Sequence, residues 1–136
     1  MSKSLQSARG QALAEAALAL PVLLVVVLGL VNLGMAAFAA NNAKNAAQYG
    51  ARMGSVAQDN AAGLAVAMAQ QQISLAPVGD YTVNVIAPGG ERGDTLALRV
   101  HWSVPNFLGG MLGLFGANTP NQWEGDADAY FRQEGW

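Results

Sequence analysis

Hydrophobic and polar positions divide this chain into stretches of different period. Residues 16–43 carry no charge, and within them Leu23, Leu24, Val25, Val26, Val27 and Leu28 are apolar on every side of a helix, which no surface helix of a small soluble domain shows. With only Pro21 and Asn32 interrupting, residues 16–40 are long enough to cross a bilayer, which needs about 20 apolar residues. Pro21 lacks an amide hydrogen and is predicted to kink or locally unwind the helix about a turn below it. Asn32 is predicted to bond either across to another helix or back to its own backbone. The helical pattern then continues: residues 41–55 contain no proline, and Ala43, Ala47, Gly50 and Gly54 recur along one face. Glycine costs about 1 kcal/mol relative to alanine inside a helix, so two on one stripe point to close helix packing, the alternative being a helix that frays as it leaves the bilayer. On that reading Gly50→Leu overpacks the contact and Gly50→Ala is mild.

A second helix is predicted over residues 60–73, capped by Asp59, ended by Pro77 and Gly79, with Leu64, Met68 and Gln71/Gln72 at helical spacing. The period then changes to two. Tyr81, Val83 and Val85 alternate with Thr82, Asn84 and Ile86, the Gly89, Gly90 and Gly93 region turns, and Leu96, Leu98, Val100, Trp102 and Val104 alternate with Ala97, Arg99, His101 and Ser103. A third strand sets Trp123, Gly125, Ala127, Ala129 and Phe131 against Glu124, Asp126, Asp128, Tyr130 and Arg132. The fold class is therefore α+β: a long N-terminal transmembrane helix, then a small ectodomain with one further helix and a three-stranded antiparallel sheet. The sheet needs a cover on its apolar face, which either helix can supply. Residues 106–117 break the pattern, because Phe107, Leu108, Met111, Leu112, Leu114 and Phe115 stand in a connection where polar residues are expected. Contact with a partner subunit is the preferred reading, a loop folded over the core or lying on the membrane the alternatives.

Composition narrows the picture. The 136 residues leave room for one small domain beyond the apolar segment, and 52% of them are hydrophobic, with alanine dominant. The absence of cysteine excludes disulfides, thiolate metal sites and a cysteine nucleophile. The net charge of −2 is unevenly placed: Lys3 and Arg9 are the only charges before Glu15, whereas acidic residues outnumber basic ones beyond residue 40. The positive-inside rule then puts the amino terminus in the cytoplasm and the rest outside. No basic patch suggests nucleic acid.

Glu15 stands alone at the mouth of the apolar run. An acid at the centre of a membrane helix costs about 2.5 to 3.5 kcal/mol on insertion scales, so its presence there asks for a role. The basic leader, Gly10 and a glutamate five positions later resemble the processing site of type IV-like prepilins. In that family a membrane aspartyl peptidase cuts after the glycine, here between Gly10 and Gln11, and the glutamate pairs with the free amino terminus of a neighbouring subunit. The runs Arg9-Gly10-Gln11-Ala12-Leu13-Ala14-Glu15, Leu18-Ala19-Leu20-Pro21-Val22-Leu23-Leu24 and Asn45-Ala46-Ala47-Gln48-Tyr49-Gly50-Ala51-Arg52 together resemble TadE-like pseudopilins of the tight-adherence (Flp-type) pilus system. The stretches Val104-Pro105-Asn106-Phe107-Leu108-Gly109-Gly110 and Tyr130-Phe131-Arg132-Gln133-Glu134 resemble that family's carboxyl-terminal part more loosely. The chain departs from the pattern at Ala16, where the family usually places an aromatic.

The resemblance implies a leader at residues 1–10, a transmembrane helix with its extramembrane continuation at 11–58, and an extracytoplasmic α+β domain at 59–136. It implies a single-pass protein of the bacterial inner membrane whose partners are a prepilin peptidase, other pilin or pseudopilin subunits and pilus assembly proteins, with no cofactor and no small-molecule substrate. Two other classes are weighed beside it. Ala37-Phe38-Ala39 is an A-x-A pattern that a signal peptidase could cut, giving a secreted protein, although Glu15 then has no purpose. A membrane-tethered binding module would need a convergent polar pocket, which the sequence does not show.

No catalytic constellation emerges. Glu124, Asp126 and Asp128 share one strand face at roughly 6.6–6.8 Å spacing, but a calcium site also needs loop carbonyls and a tight turn, and a solvated face balanced by Arg99 is preferred. His101 is the single histidine. Ser103 lacks a Gly-x-Ser-x-Gly elbow, and Gly89, Gly90 and Gly93 are explained by a turn.

Overall fold

A computed structural model describes residues 2–134 of the chain, with side chains from Gly10 onward. The side chains of Lys3 and Arg9, which define the basic leader, lie outside the described residues. One helix, α1 (Ser2–Ser55), runs through the apolar segment and beyond it for 54 residues. The helix runs through Pro21 unbroken, so of the kink or local unwinding expected there the unwinding is absent. A short turn leads to α2 (Ala61–Ser74), followed by strands β1 (Asp80–Pro88) and β2 (Thr95–Pro105), a short helix α3 (Phe107–Gly113), and β3 (Gln122–Arg132). The strands form one antiparallel sheet in the order β1-β2-β3.

Three local expectations are corrected. Asn60, rather than Asp59, caps α2: its backbone is left-handed (φ 50°), which asparagine tolerates better than most residues, and its side chain accepts the Gly63 amide at 3.2 Å. The predicted alternation in β1 fails at Val85 and Ile86, both exposed, because the β1–β2 register shifts between Val85 and Ala87. Residues 106–117 contain the helix α3, capped by the Asn106 side chain, where an irregular connection was expected.

The core is a layer of small residues beneath a layer of large ones. Ala43, Ala46, Ala47 and Ala51 of α1 and Ala61, Ala65 and Ala69 of α2 are buried against Leu96, Leu98 and Val100 of β2 and Ala129 of β3. The buried stripe of α2 is thus its alanines, while Leu64 and Met68 are only partly covered. Large side chains on the central strand need two helices close below them, and alanine permits that approach.

Glycine permits more. A Cβ on Gly50 would stand 2.5 Å from the Ala65 carbonyl oxygen and 2.8 Å from the Ala69 Cβ. On Gly54 it would stand 2.6 Å from the Ala61 carbonyl oxygen and from the Ala65 Cβ. The face carrying Ala43, Ala47, Gly50 and Gly54 is therefore filled by α2 of the same chain. The far end is tied by backbone bonds, with the Glu134 amide donating to the Ser55 carbonyl at 3.0 Å and the Gln133 amide to that of Asp94 at 2.7 Å.

This geometry reverses the mild outcome anticipated for Gly50→Ala. A backbone oxygen cannot swing aside, so Gly50→Ala is expected to destabilise the protein by about 1–3 kcal/mol through overpacking. Gly34→Ala on the same helix, where a Cβ meets nothing within 4 Å, is expected to be neutral or stabilising by up to about 1 kcal/mol. Thermal unfolding of the two variants in detergent, followed by circular dichroism, separates packing from propensity.

Candidate functional site

The long helix changes its surroundings at one residue. Below it, Leu18, Leu20, Val22, Leu23, Leu24, Val26, Val27, Leu30 and Val31 are exposed. Above it, one face of the helix is covered by the sheet and α2. At the boundary Asn32 is fully buried, its Nδ2 donating to the Pro105 carbonyl at 2.9 Å and its Oδ1 accepting the Phe107 amide at 3.0 Å. Of the two sequence expectations for Asn32, the bond back to its own backbone is absent, and the bond across to another helix is met at the first amide of α3, with the second partner at the end of β2. Asn32 closes the junction between β2 and α3. One and two turns further on, Ala36 and Ala39 are buried with Val104, against Tyr81, Trp102 and Trp123.

The docked domain therefore shortens the stretch left for lipid. Residues 16–40 were expected to span, but Asn32, Ala36 and Ala39 belong to the folded domain. The helical segment from Gly10 to Ser55 has a mean hydropathy of 2.6 in its most apolar window and is long enough to cross a membrane. Counting back from Asn32 at ~1.5 Å per residue, Gly10 lies about 33 Å away along the axis, comparable with the roughly 30 Å hydrocarbon core of a bilayer.

Gly10, Gln11 and Glu15 all lie on the exposed lower part of α1. The Gln11 side-chain amide donates to Glu15 Oε1 at 3.1 Å, one turn along the helix. This bond satisfies part of the carboxylate's hydrogen-bonding capacity. From Glu15 an open apolar groove runs along the helix past Leu18, Ala19, Val22, Leu23, Val26 and Val27. The sequence did not show that Gln11 and Glu15 interact, although their spacing of four carries the signal.

The outer face of the sheet holds the remaining candidate chemistry. Arg99 on β2 forms two bonds to Asp128 on β3, Nε to Oδ1 at 2.8 Å and Nη2 to Oδ2 at 2.7 Å. This forked bond holds the Asp128 carboxyl below the usual carboxylate range and raises the guanidinium above its own. His101 sits between two carboxylates, its Nδ1 2.8 Å from Asp126 Oδ1 and its Nε2 3.6 Å from Glu124 Oε2. The strand register, with Arg99 opposite Asp128 and His101 opposite Asp126, makes these pairs. The polar contacts of His101 are these two carboxylates, and among the described residues no group of His, Cys, Asp and Glu could hold a metal ion. The face carries one forked ion pair and one histidine–carboxylate contact as cross-strand neighbours, an arrangement that stabilises a sheet face turned to water.

Residues 10–52 match the family described as TadE-like protein. No curated protein and no solved structure matches the chain. The matched segment runs along α1 alone, from the exposed glycine to the docked half, and leaves α2 and the sheet outside it.

If Asn32 holds the junction, Asn32→Leu keeps the bulk but leaves a buried carbonyl and a buried amide unpaired, at an expected cost of about 2–4 kcal/mol. Hydrogen exchange should show the Phe107 amide losing protection before that of Val100, in the middle of β2.

Proposed function

We propose that the chain is a pilin-like structural or assembly subunit of a tight-adherence pilus, held in the bacterial inner membrane by α1 with its amino terminus in the cytoplasm and processed by a prepilin peptidase after Gly10. One observation carries the reading. The match to the TadE-like family begins at Gly10, and the Asn32 junction sets that glycine about one bilayer thickness from the folded domain. With the domain resting outside, the Gly10–Gln11 bond falls at the opposite membrane surface, within reach of a peptidase working at that boundary.

Glu15 then sits about 8 Å inside that boundary at ~1.5 Å per residue, where a carboxylate costs less than at the bilayer centre. It heads an open groove of apolar and small side chains that fits the flank of a second helix. Cleavage would make Gln11 the first residue and create an ammonium one turn away from the carboxylate. A neighbouring subunit's ammonium, brought to Glu15 along the groove, would neutralise both charges in lipid. The chain acts in this scheme by packing, and its partners are the membrane, the peptidase and other pilus subunits.

Signal-peptide cleavage near Ala39 is disfavoured by the packing. A cut there would discard Asn32, Ala36 and Ala39, all buried against the lower end of the sheet.

The amino-terminal sequence of the membrane-extracted protein tests the processing step. Co-expression with a matching prepilin peptidase is expected to yield a chain starting at Gln11, and Gly10→Leu to retain the leader. Retention of Met1 or Ser2 beside an active peptidase would refute the cleavage, and a start near Ala40 would establish a secreted protein. Separately, Glu15→Ala is expected to insert as well as the parent or better, because a charge has left the membrane, while surface fibres are lost. A cleaved, inserted variant that builds fibres normally would dispose of the pairing role.

A further inference from the structure

The lobe between β2 and β3 ends in two large apolar side chains that the domain does not cover: Leu114 is 84% exposed and Phe115 77%. The lobe is not slack. The Asn106 amide donates to the Asn121 carbonyl at 2.9 Å and the Asn106 side chain to that of Pro120 at 2.7 Å, closing its neck. The Phe115 and Ala117 amides both donate to the Leu112 carbonyl at 3.0 Å, and Gly116 turns the tip with φ 81°. Leu114 and Phe115 are thus held outward on a hydrogen-bonded turn.

Its place in the fold indicates what meets them. Asn32 fixes the root of α3 to the point where α1 leaves the domain. Leu108 Cδ1 lies 3.6 Å from the position of a Cβ on Gly29, nearly a turn closer to the membrane end of α1. Residues 104–123 carry no charged side chain, and neither do residues 16–43. Two charge-free stretches far apart in sequence therefore meet at one end of the domain. Trp123 closes the second stretch, paired across the sheet with Val104 and packed beside Ala36 and Ala39. Carboxylates of the sheet begin one register position further on, with Asp80 and Glu124 on either side of Ser103, and continue at Asp126.

We propose that α3 and the turn after it form a foot on the lipid surface, with Leu114 and Phe115 inserted among the headgroups and first acyl carbons of the leaflet from which α1 emerges. The exposed lobe is continuous with the exposed apolar flank of α1, so lipid that surrounds the helix reaches the foot without crossing a polar belt. The foot and the Asn32 junction together fix how deeply α1 sits, and hence where Gly10 meets the far surface. The inference rests on α1 spanning the membrane, and it departs from the contact with a partner subunit that the sequence alone favoured.

The chain has no cysteine, so single labels report position directly. The full-length protein is placed at one copy per lipid nanodisc, carrying an environment-sensitive fluorophore at Phe115→Cys, Leu114→Cys, Val22→Cys or Gln58→Cys. Phospholipids spin-labelled near the headgroup supply the quencher. Both lobe labels are expected to be quenched several-fold more than Gln58, at the opposite end of the domain. If Val22, probed with lipids spin-labelled deep in the acyl chain, is quenched but the lobe labels are no more quenched than Gln58, the foot is overturned while the membrane span stands. If Val22 is not quenched, the span and the foot fall together. Lobe labels that ignore lipid but change emission when each disc holds two copies would overturn the foot in favour of a neighbouring subunit.

Discussion

The approach of α1 to α2 at Gly50 and Gly54 sets the dimensions of the folded domain. Two helices whose backbones nearly touch present a narrow floor of alanines, and over it Leu96, Leu98 and Val100 of the central strand find room for their full volume. A larger residue at either glycine would separate the helices and lift the sheet from one of them. The protein spends helix propensity to obtain this contact, since glycine is a poor helix former in isolation. In return a domain without disulfides gains a close-packed core from the upper half of its long apolar helix.

The same helix serves two solvents. Its lower half offers large side chains to its surroundings on all sides, and its upper half buries a stripe of small ones. Asn32 marks the transition because an amide side chain can both donate and accept, and the bend from β2 into α3 leaves one carbonyl and one amide facing the helix. An apolar residue there would leave both groups unpaired away from water, and a charged one would meet one complementary group and one that repels it.

Much of this was legible in the residues. The apolar run, the hairpin, the third strand and the inward faces of β2 and β3 follow from period alone, because a strand buried on one face must alternate. The α1 stripe was visible as recurring small residues, but its partner was not, since alanine on α2 gives no amphipathic signal strong enough to outweigh Leu64 and Met68. The β1 irregularity is set by pairing register, which a single strand does not encode. Asn32 could not be assigned for the same reason: its partners lie more than seventy positions away and belong to the backbone, whose chemistry is identical at every residue. The polar pairs of the outer face were half visible, with Arg99 anticipated against the acidic face and the His101–Asp126 contact emerging only once the strands were aligned. The short α3 was hidden by its glycines, which speak for a turn more loudly than its Asn106 cap speaks for a helix.

Because α1 continues unbroken from its exposed lower half into the core, the azimuth of the domain about the helix axis is locked to that of the groove beginning at Glu15. A helix advances by about 100° per residue, so one residue gained or lost between Val27 and Asn32 would swing the sheet by more than a quarter turn relative to the groove. Any contact made through the lower helix thus dictates which side of the sheet confronts the neighbouring molecule. The length of this segment is in effect a phase setting, fixed in the sequence by the number of residues rather than by their identity.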